Sequence, residues 1–353
     1  MRIFGRKKPI LLGVDISSSA VKLLELSSIG GRYRVEGYAV EPLSPDSVID
    51  RNITDVQSVG EAVARAVKKS GTRTRTAACA VSGTAVITKV ISMPSGLSEE
   101  EIESQIQLEA DQYIPYPLEE VRLDFAVLGP SESGADRVDI LLAASRSDDV
   151  DVRVAALELG GLATKIVDVE IFALENAVNF MLQNNGIEVK GQTIVVADVG
   201  ATVMNFTVLK DNRVIYTRDQ SFGGKRLTEE IQRRYGLSYA EAGLAKRRGG
   251  LPDDYVPEVL DPFKESMALE VNRALQLFFS SGPLGAADRL VLAGGCASIP
   301  GMSELMESKT GLKATVASPF TNMAVSPSIR AETLSRDAPA LMVPFGLALR
   351  SFD

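Results

Sequence analysis

Two stretches of this chain carry one design twice. The run ILLGVDISSSAVKLLEL (residues 10–26) lies over TIVVADVGATVMNFTVL (residues 193–209) at an offset of 183 residues. Each opens with an apolar run, reaches an acid (Asp15, Asp198), passes small residues to a hydroxyl (Ser19, Thr202) and resumes as an apolar run. Runs rich in Val, Ile and Leu joined by a short small-residue turn read as hairpins. A third strand-like run follows each, at 33–40 and 213–221. A meander repeated half a chain apart reads as two copies of one design.

The rest of the pattern alternates helix and strand. Val56, Val59, Val63 and Val67 predict a helix over 56–69. After the second meander the spacing predicts helices over 225–235, 239–248 and 257–281, the last stopped by Gly282, Pro283 and Gly285. Strands at 289–293 and 313–316 flank a helix opening near Gly301, and a helical pattern over 338–350 packs back on the first half. Residues 84–145 read strand, helix, strand, strand, as an inserted module. Ser98 as N-cap, Glu101 three residues on, and the Leu97 and Ile102 pair mark its helix start. Tyr113-Ile114-Pro115-Tyr116-Pro117 ends that helix, because neither proline can continue it. Helix 147–160, strand 162–169 and helix 171–184 return to the main fold. The division is 1–83 and 146–190 for a first lobe, 84–145 for the insertion, 191–335 for a second lobe, and 336–353 for a returning helix.

Composition removes several chemistries. None of the 353 residues is histidine, which excludes Ser-His-Asp triads, Cys-His dyads and His-ligated metals. Cys79 and Cys296 are too few for a disulfide framework and read as reduced, buried thiols. With 38 basic and 46 acidic residues, a chain-wide footprint for nucleic acid is excluded. The apolar stretch after the basic start (Arg2, Arg6, Lys7, Lys8) stops at Asp15, too short for a signal core or a span, so the expectation is a cytoplasmic protein. That basic start, with Ile3 and Phe4, reads as a solvated tail or a contact for anionic lipid.

Three segments share the chemistry of a phosphate site. Asp15 is followed by Ser17, Ser18 and Ser19, with Lys22 seven residues after the acid. Small residues let backbone N–H groups and hydroxyls approach a phosphate, the lysine supplies charge, and the aspartate can hold Mg²⁺ through water. Asp198, Gly200 and Thr202 repeat the device. The third segment runs from Leu290 to Gly294-Gly295, then Ser298 and Gly301 ahead of a helix, and suits a nucleoside against bare backbone. Gly223-Gly224-Lys225 opens another helix toward the same ligand. Neither a Walker A loop nor a dinucleotide fingerprint is present. The KRRGG cluster at 246–250 reads as a loop exit.

In that order the motifs resemble the actin, Hsp70 and sugar-kinase superfamily: phosphate motifs at 15–22 and 198–202, and an adenosine motif at 290–301. The resemblance implies an α/β actin-like ATPase fold of two RNase H-like lobes, binding ATP and Mg²⁺, with at most slow ATPase activity. VDVEIFALENAV (167–178) falls at the superfamily's connecting helix, which gives Glu170 the place that orients an attacking water, with Asp15 and Asp198 on the metal. Ser17 departs from the usual glycine. A single insertion in the first half is similar to FtsA's. QIQLEADQYIPYP (105–117), FGG (222–224) and VPFGLA (343–348) are similar to the PilM family of type IV pilus assembly proteins. The last residues, Ser351-Phe352-Asp353, lack the amphipathic extension with which FtsA usually ends, and this favours PilM. That family implies a cytoplasmic protein held peripherally at the inner membrane by the N-terminal cytoplasmic tail of the membrane protein PilN, bound on the inserted module. Ile106, Tyr113, Ile114 and Tyr116 are the candidates for that groove, although Ile102, Ile106 and Ala110, at helical spacing, also read as the module's own core. The alternatives are an FtsA-like filament former, which would self-associate, and a small-molecule kinase of the same superfamily.

Overall fold

The computed structural model describes residues 10–281 and 286–352. The basic start and the Gly282-Pro283-Gly285 helix stop lie outside the described residues. The first lobe begins with an antiparallel meander of β1 (Leu12–Ile16), β2 (Ala20–Ile29) and β3 (Arg32–Pro42). A short hairpin, β4 (Val48–Ile49) and β5 (Asn52–Ile53), leads into α1 (Val56–Ser70). The Asp55 side chain caps α1 by accepting from the Ser58 N–H, and left-handed Gly71 ends it. β6 (Thr76–Val81) then lies parallel to β1.

The inserted module follows as β7 (Val86–Pro94), α2 (Glu99–Glu109), β8 (Val121–Pro130) and β9 (Arg137–Arg146), with β9 central in a three-stranded antiparallel sheet. Ser98 and Glu101 form the reciprocal capping box that their spacing predicts. The chain returns through α3 (Ser147–Leu159) to β10 (Ala163–Val169), parallel to β6, and then α4 (Glu170–Asn184).

The second lobe repeats the plan with β11 (Thr193–Val199), β12 (Met204–Lys210) and β13 (Arg213–Gln220) as its meander. Helices α5 (Gly224–Tyr235), α6 (Tyr239–Arg248) and α7 (Asp261–Ser280) precede β14 (Arg289–Ala293), α8 (Met302–Thr310) and β15 (Lys313–Val316). The helix expected over 257–281 starts differently. A π-helical turn at Val256–Leu260 runs into α7; Pro257 sits in its first turn, where no N–H is required, and Pro262 lacks the N–H that would bond back to Glu258 in a regular ladder. The strand orders, β10-β6-β1-β2-β3 and β13-β12-β11-β14-β15, are one topology: a meander extended beyond its first strand by two successive parallel strands. β16 (Ala324–Val325) crosses back to pair with β3, followed by α9 (Ala331–Asp337) and α10 (Met342–Leu349).

A seam belonging to both lobes joins them. Leu24, Leu26 and Val35 of the first sheet share one apolar cluster with Val196, Leu209 and Val291 of the second, bridged by Leu174 and Val178 of α4 and by Met342 and Phe345 of α10. Backbone meets backbone there. A Cβ on Gly346 would overlap the Ala173 carbonyl of α4, and one on Gly13 would overlap the Pro344 carbonyl of α10. Gly346→Val is therefore expected to lower stability by about 3 kcal/mol or more in urea unfolding. Gly295→Ala, whose Cβ meets nothing within 4 Å, is expected to stay within about 0.5 kcal/mol of the parent.

Candidate nucleotide cleft

The β1–β2 turn is closed by its own residues. Ser17 donates from both its N–H (3.0 Å) and its Oγ (2.9 Å) to the Ala20 carbonyl, so the side chain standing where the superfamily has glycine folds back into the turn. Asp15 and Lys22 are register partners across the hairpin, and Lys22 Nζ lies 2.7 Å from Asp15 Oδ2, largely buried. Ser19 is exposed at the tip. The β11–β12 turn closes with the Gly200 N–H on the Val203 carbonyl at 3.0 Å, and Asp198 stands opposite Asn205. The two hairpins meet: Thr202 Oγ1 donates to Ser18 Oγ at 3.1 Å across 184 residues of sequence.

The glycines divide by role. Gly294 (φ +81°) lets the end of β14 pass against the second hairpin, where a Cβ would strike the Val199 carbonyl and the Asp198 carboxylate. Gly223 sits against Ala201, while the Gly224 and Lys225 N–H groups donate to the Gly200 and Ala201 carbonyls at 3.0 and 2.8 Å. These N–H groups brace the hairpin. Gly295 is exposed with open space beside it. Ser298 Oγ donates to the Arg336 carbonyl at 2.9 Å, and Lys225 stands exposed at 4.0 Å from Glu229. The ammonium beside the second hairpin is Lys246. Read in the sequence as part of a loop exit, it turns inward and donates to the Gly224 carbonyl at 2.9 Å and to Thr228 Oγ1 at 2.7 Å.

Charges of both signs crowd together where the hairpins converge. Glu170 begins α4, where the helix dipole favours an anion. Burial nevertheless pushes its carboxyl up to about 7; Asp15 adds to the rise, Arg51 and Arg153 oppose it, and Asp198 adds again. Burial likewise raises Asp198 to about 6, with Lys22 opposing and Asp15 reinforcing. Lys22 moves upward although burial works against its charge, because Asp15, Asp198 and Glu170 together outweigh it. Among the described residues no cluster of three or more His, Cys, Asp or Glu forms a cage. A divalent cation here would complete its oxygen shell with phosphate or water, the usual arrangement for Mg²⁺.

The sequence did not single out Arg51. It sits in the β4–β5 turn and reaches Ser82 Oγ (2.8 Å) and Glu170 (3.7 Å) in the first lobe, and Asn205 and Asp219 (3.2 Å to the latter) in the second. In the inserted module, Ile106 and Ile114 are buried in the core with Ile91, Ile102, Ala110, Ile140 and Leu142. That corrects their place as groove candidates: the side chains that would grip a peptide instead hold α2 to its sheet. Tyr113 is half-buried, its hydroxyl 3.1 Å from Glu109 and its ring 4.9 Å from Lys89 Nζ, and Tyr116 is exposed.

Duplicated lobes of one strand order, joined by a shared seam and closing two acid-bearing hairpins on each other, define an actin-like ATPase fold. The sequence profile of the type IV pilus assembly protein PilM matches residues 13–352, and the chain belongs to that family. Among solved structures, a PilM–PilN type IV pilus biogenesis complex is 27% identical at TM-score 0.78, with 98% of this chain and 99% of that one covered. The ethanolamine utilization protein EutJ from Carboxydothermus hydrogenoformans is 17% identical at TM-score 0.57, covering 97% and 90%. An archaeal actin homolog is 12% identical at TM-score 0.50, covering 97% and 99%. The last two likenesses show the fold alone. No helix among the described residues is long and apolar enough to cross a membrane.

A raised carboxyl contributes stability that is whole below its unfolded value and is lost as pH climbs through its folded value. For Glu170 (4.5 to about 7) and Asp198 (3.8 to about 6) that window runs from about pH 4 to 7. Glu170→Gln is therefore expected to stabilise the ligand-free protein by about 1–3 kcal/mol at pH 8, with the gain vanishing at pH 4.5, in denaturant melts across pH.

Proposed function

We propose that this chain is an ATP- and Mg²⁺-binding clamp of the type IV pilus inner-membrane assembly platform. Its inserted module takes the N-terminal cytoplasmic tail of PilN, and its nucleotide state tunes that contact. The observation that carries the cleft is the convergence of the two hairpins, Ser18 against Thr202 at 3.1 Å, with Asp15, Asp198, Glu170 and Lys22 packed around the junction. Asp15 and Asp198 would organise the cation, and Ser18, Ser19, Lys22, Gly200 and Thr202 would contact the phosphates. Gly295, with Lys246 behind α5, would border the nucleoside. Glu170 would order a water, and one such carboxylate fits turnover that is slow at best.

PilN as partner draws its support from the solved relative, a PilM–PilN complex. The module offers β7 and β8 as outer strands for an added peptide strand, with Tyr116 exposed nearby in sequence. A partner of that kind would hold the protein at the inner membrane.

A physical route between cleft and module exists along β13. At one end Asp219 pairs with Arg51 in the cleft, and at the other Arg213 donates to the Leu128 carbonyl of the module at 3.1 Å. Lobe motion about the cleft therefore pulls on the module's anchor.

Mg·ATP at 100 times its dissociation constant is expected to add roughly 2.7 kcal/mol of stability in thermal melts. Asp198→Ala and Lys22→Ala are expected to abolish the shift, and no shift in the parent would remove the cleft assignment. A synthetic PilN tail titrated calorimetrically is expected to bind with an affinity that nucleotide changes by about five-fold or more. Arg213→Ala is expected to retain both ligands while losing that change.

A further inference from the structure

We infer that Arg51 reads the terminal phosphate of the nucleotide and so distinguishes ATP from ADP; this rests on the nucleotide cleft proposed above. Three observations carry it. The first is position. The guanidinium contacts Asn205, the register partner of Asp198, and lies 3.7 Å from Glu170, so it stands where the two hairpins and α4 converge.

The second is how Arg51 is held. Asp50 and Arg51 are consecutive non-glycine residues in the left-handed region, at φ +48° and +67°. Together they form the two-residue turn of the β4–β5 hairpin, where the strand twist calls for positive φ at both positions. Arg153, 3% exposed, ties that turn to the first lobe: its guanidinium donates to the carbonyls of Arg51 (3.0 Å), Ala80 (3.0 Å) and Asp149 (2.9 Å). One buried arginine thus props the backbone that aims another into the cleft.

The third is charge. Lys22, assigned to the phosphates above, is shared with Asp15 at 2.7 Å, so a further cation is needed to meet a third phosphate. Arg51 faces Asp219 at 3.2 Å, a carboxylate one-third exposed and therefore weakly held in solvent. A phosphate offers the same planar fork a stronger bidentate acceptor. Exchanging Asp219 for the terminal phosphate would keep the guanidinium satisfied, whereas a diphosphate would leave it on Asp219. The same residue bridges the lobes, with Ser82 and Glu170 on one side and Asn205 and Asp219 on the other, so the number of phosphates is read at the closing point of the clamp.

Calorimetric titration of ADP and ATP with Mg²⁺ into the parent chain and into Arg51→Gln and Arg51→Lys tests this. Glutamine can still hydrogen-bond Ser82 and Asn205 but carries no charge; lysine keeps the charge without the fork. The parent is expected to prefer ATP. In Arg51→Gln the ATP affinity is expected to fall by about tenfold or more while ADP affinity stays within about twofold, and Arg51→Lys is expected to keep an intermediate preference. Equal losses for both nucleotides in Arg51→Gln, an unchanged ATP preference in that variant, or no preference in the parent would overturn the role of Arg51 and leave the cleft standing. A parent that binds neither nucleotide overturns the cleft itself.

Discussion

The seam between the lobes is the constraint on which the rest depends. At Gly346 and Gly13 main chain touches main chain, so α4, α10 and β1 approach more closely than side chains would permit. The apolar cluster around that contact draws on both sheets and excludes water from the base of the molecule. Polar loops are thereby forced to the other end, where two hairpins of one design face each other. The site proposed for a nucleotide lies where those hairpins meet.

Three carboxylates, Asp15, Asp198 and Glu170, share that end with Lys22, Arg51 and Arg153, and burial, the largest cause at both sites, displaces Glu170 and Asp198 upward. A cation that brings its own oxygen ligands would favour the charged form of both carboxyls. The backbone around the site is comparatively fixed. The Gly200–Val203 turn and the bonds from Gly224 and Lys225 to Gly200 and Ala201 hold the second hairpin from both sides. Braced loops carrying buried charge are suited to binding.

Much of the fold was legible because its signals are local. The offset acid hairpins and the capping box at Ser98 each depend on residues within a few positions, and each stands in the structure as its spacing implied, whereas α2 already ends at Glu109 and passes through a 3-10 turn before the prolines. Strand β6 went unread because TAACAV carries small side chains in place of the β-branched pattern; it is a strand because β1 and β10 flank it. Ile106 and Ile114 looked available because apolar residues beside a proline-rich turn look the same whether they grip a partner or their own sheet. Burial decided for the sheet.

The repeat by itself showed one design used twice, and it put Asp15 and Asp198 in matching turns. Only tertiary contact made Arg51 and Lys246 members of the cleft. Arg51 reaches Asn205 and Asp219 over more than 150 residues of chain, and Lys246 folds back from the end of α6 to the start of α5. Nothing in the neighbouring residues marks either one. A charge acquires its role from what faces it across space, and that is fixed when the lobes dock rather than when the chain is written.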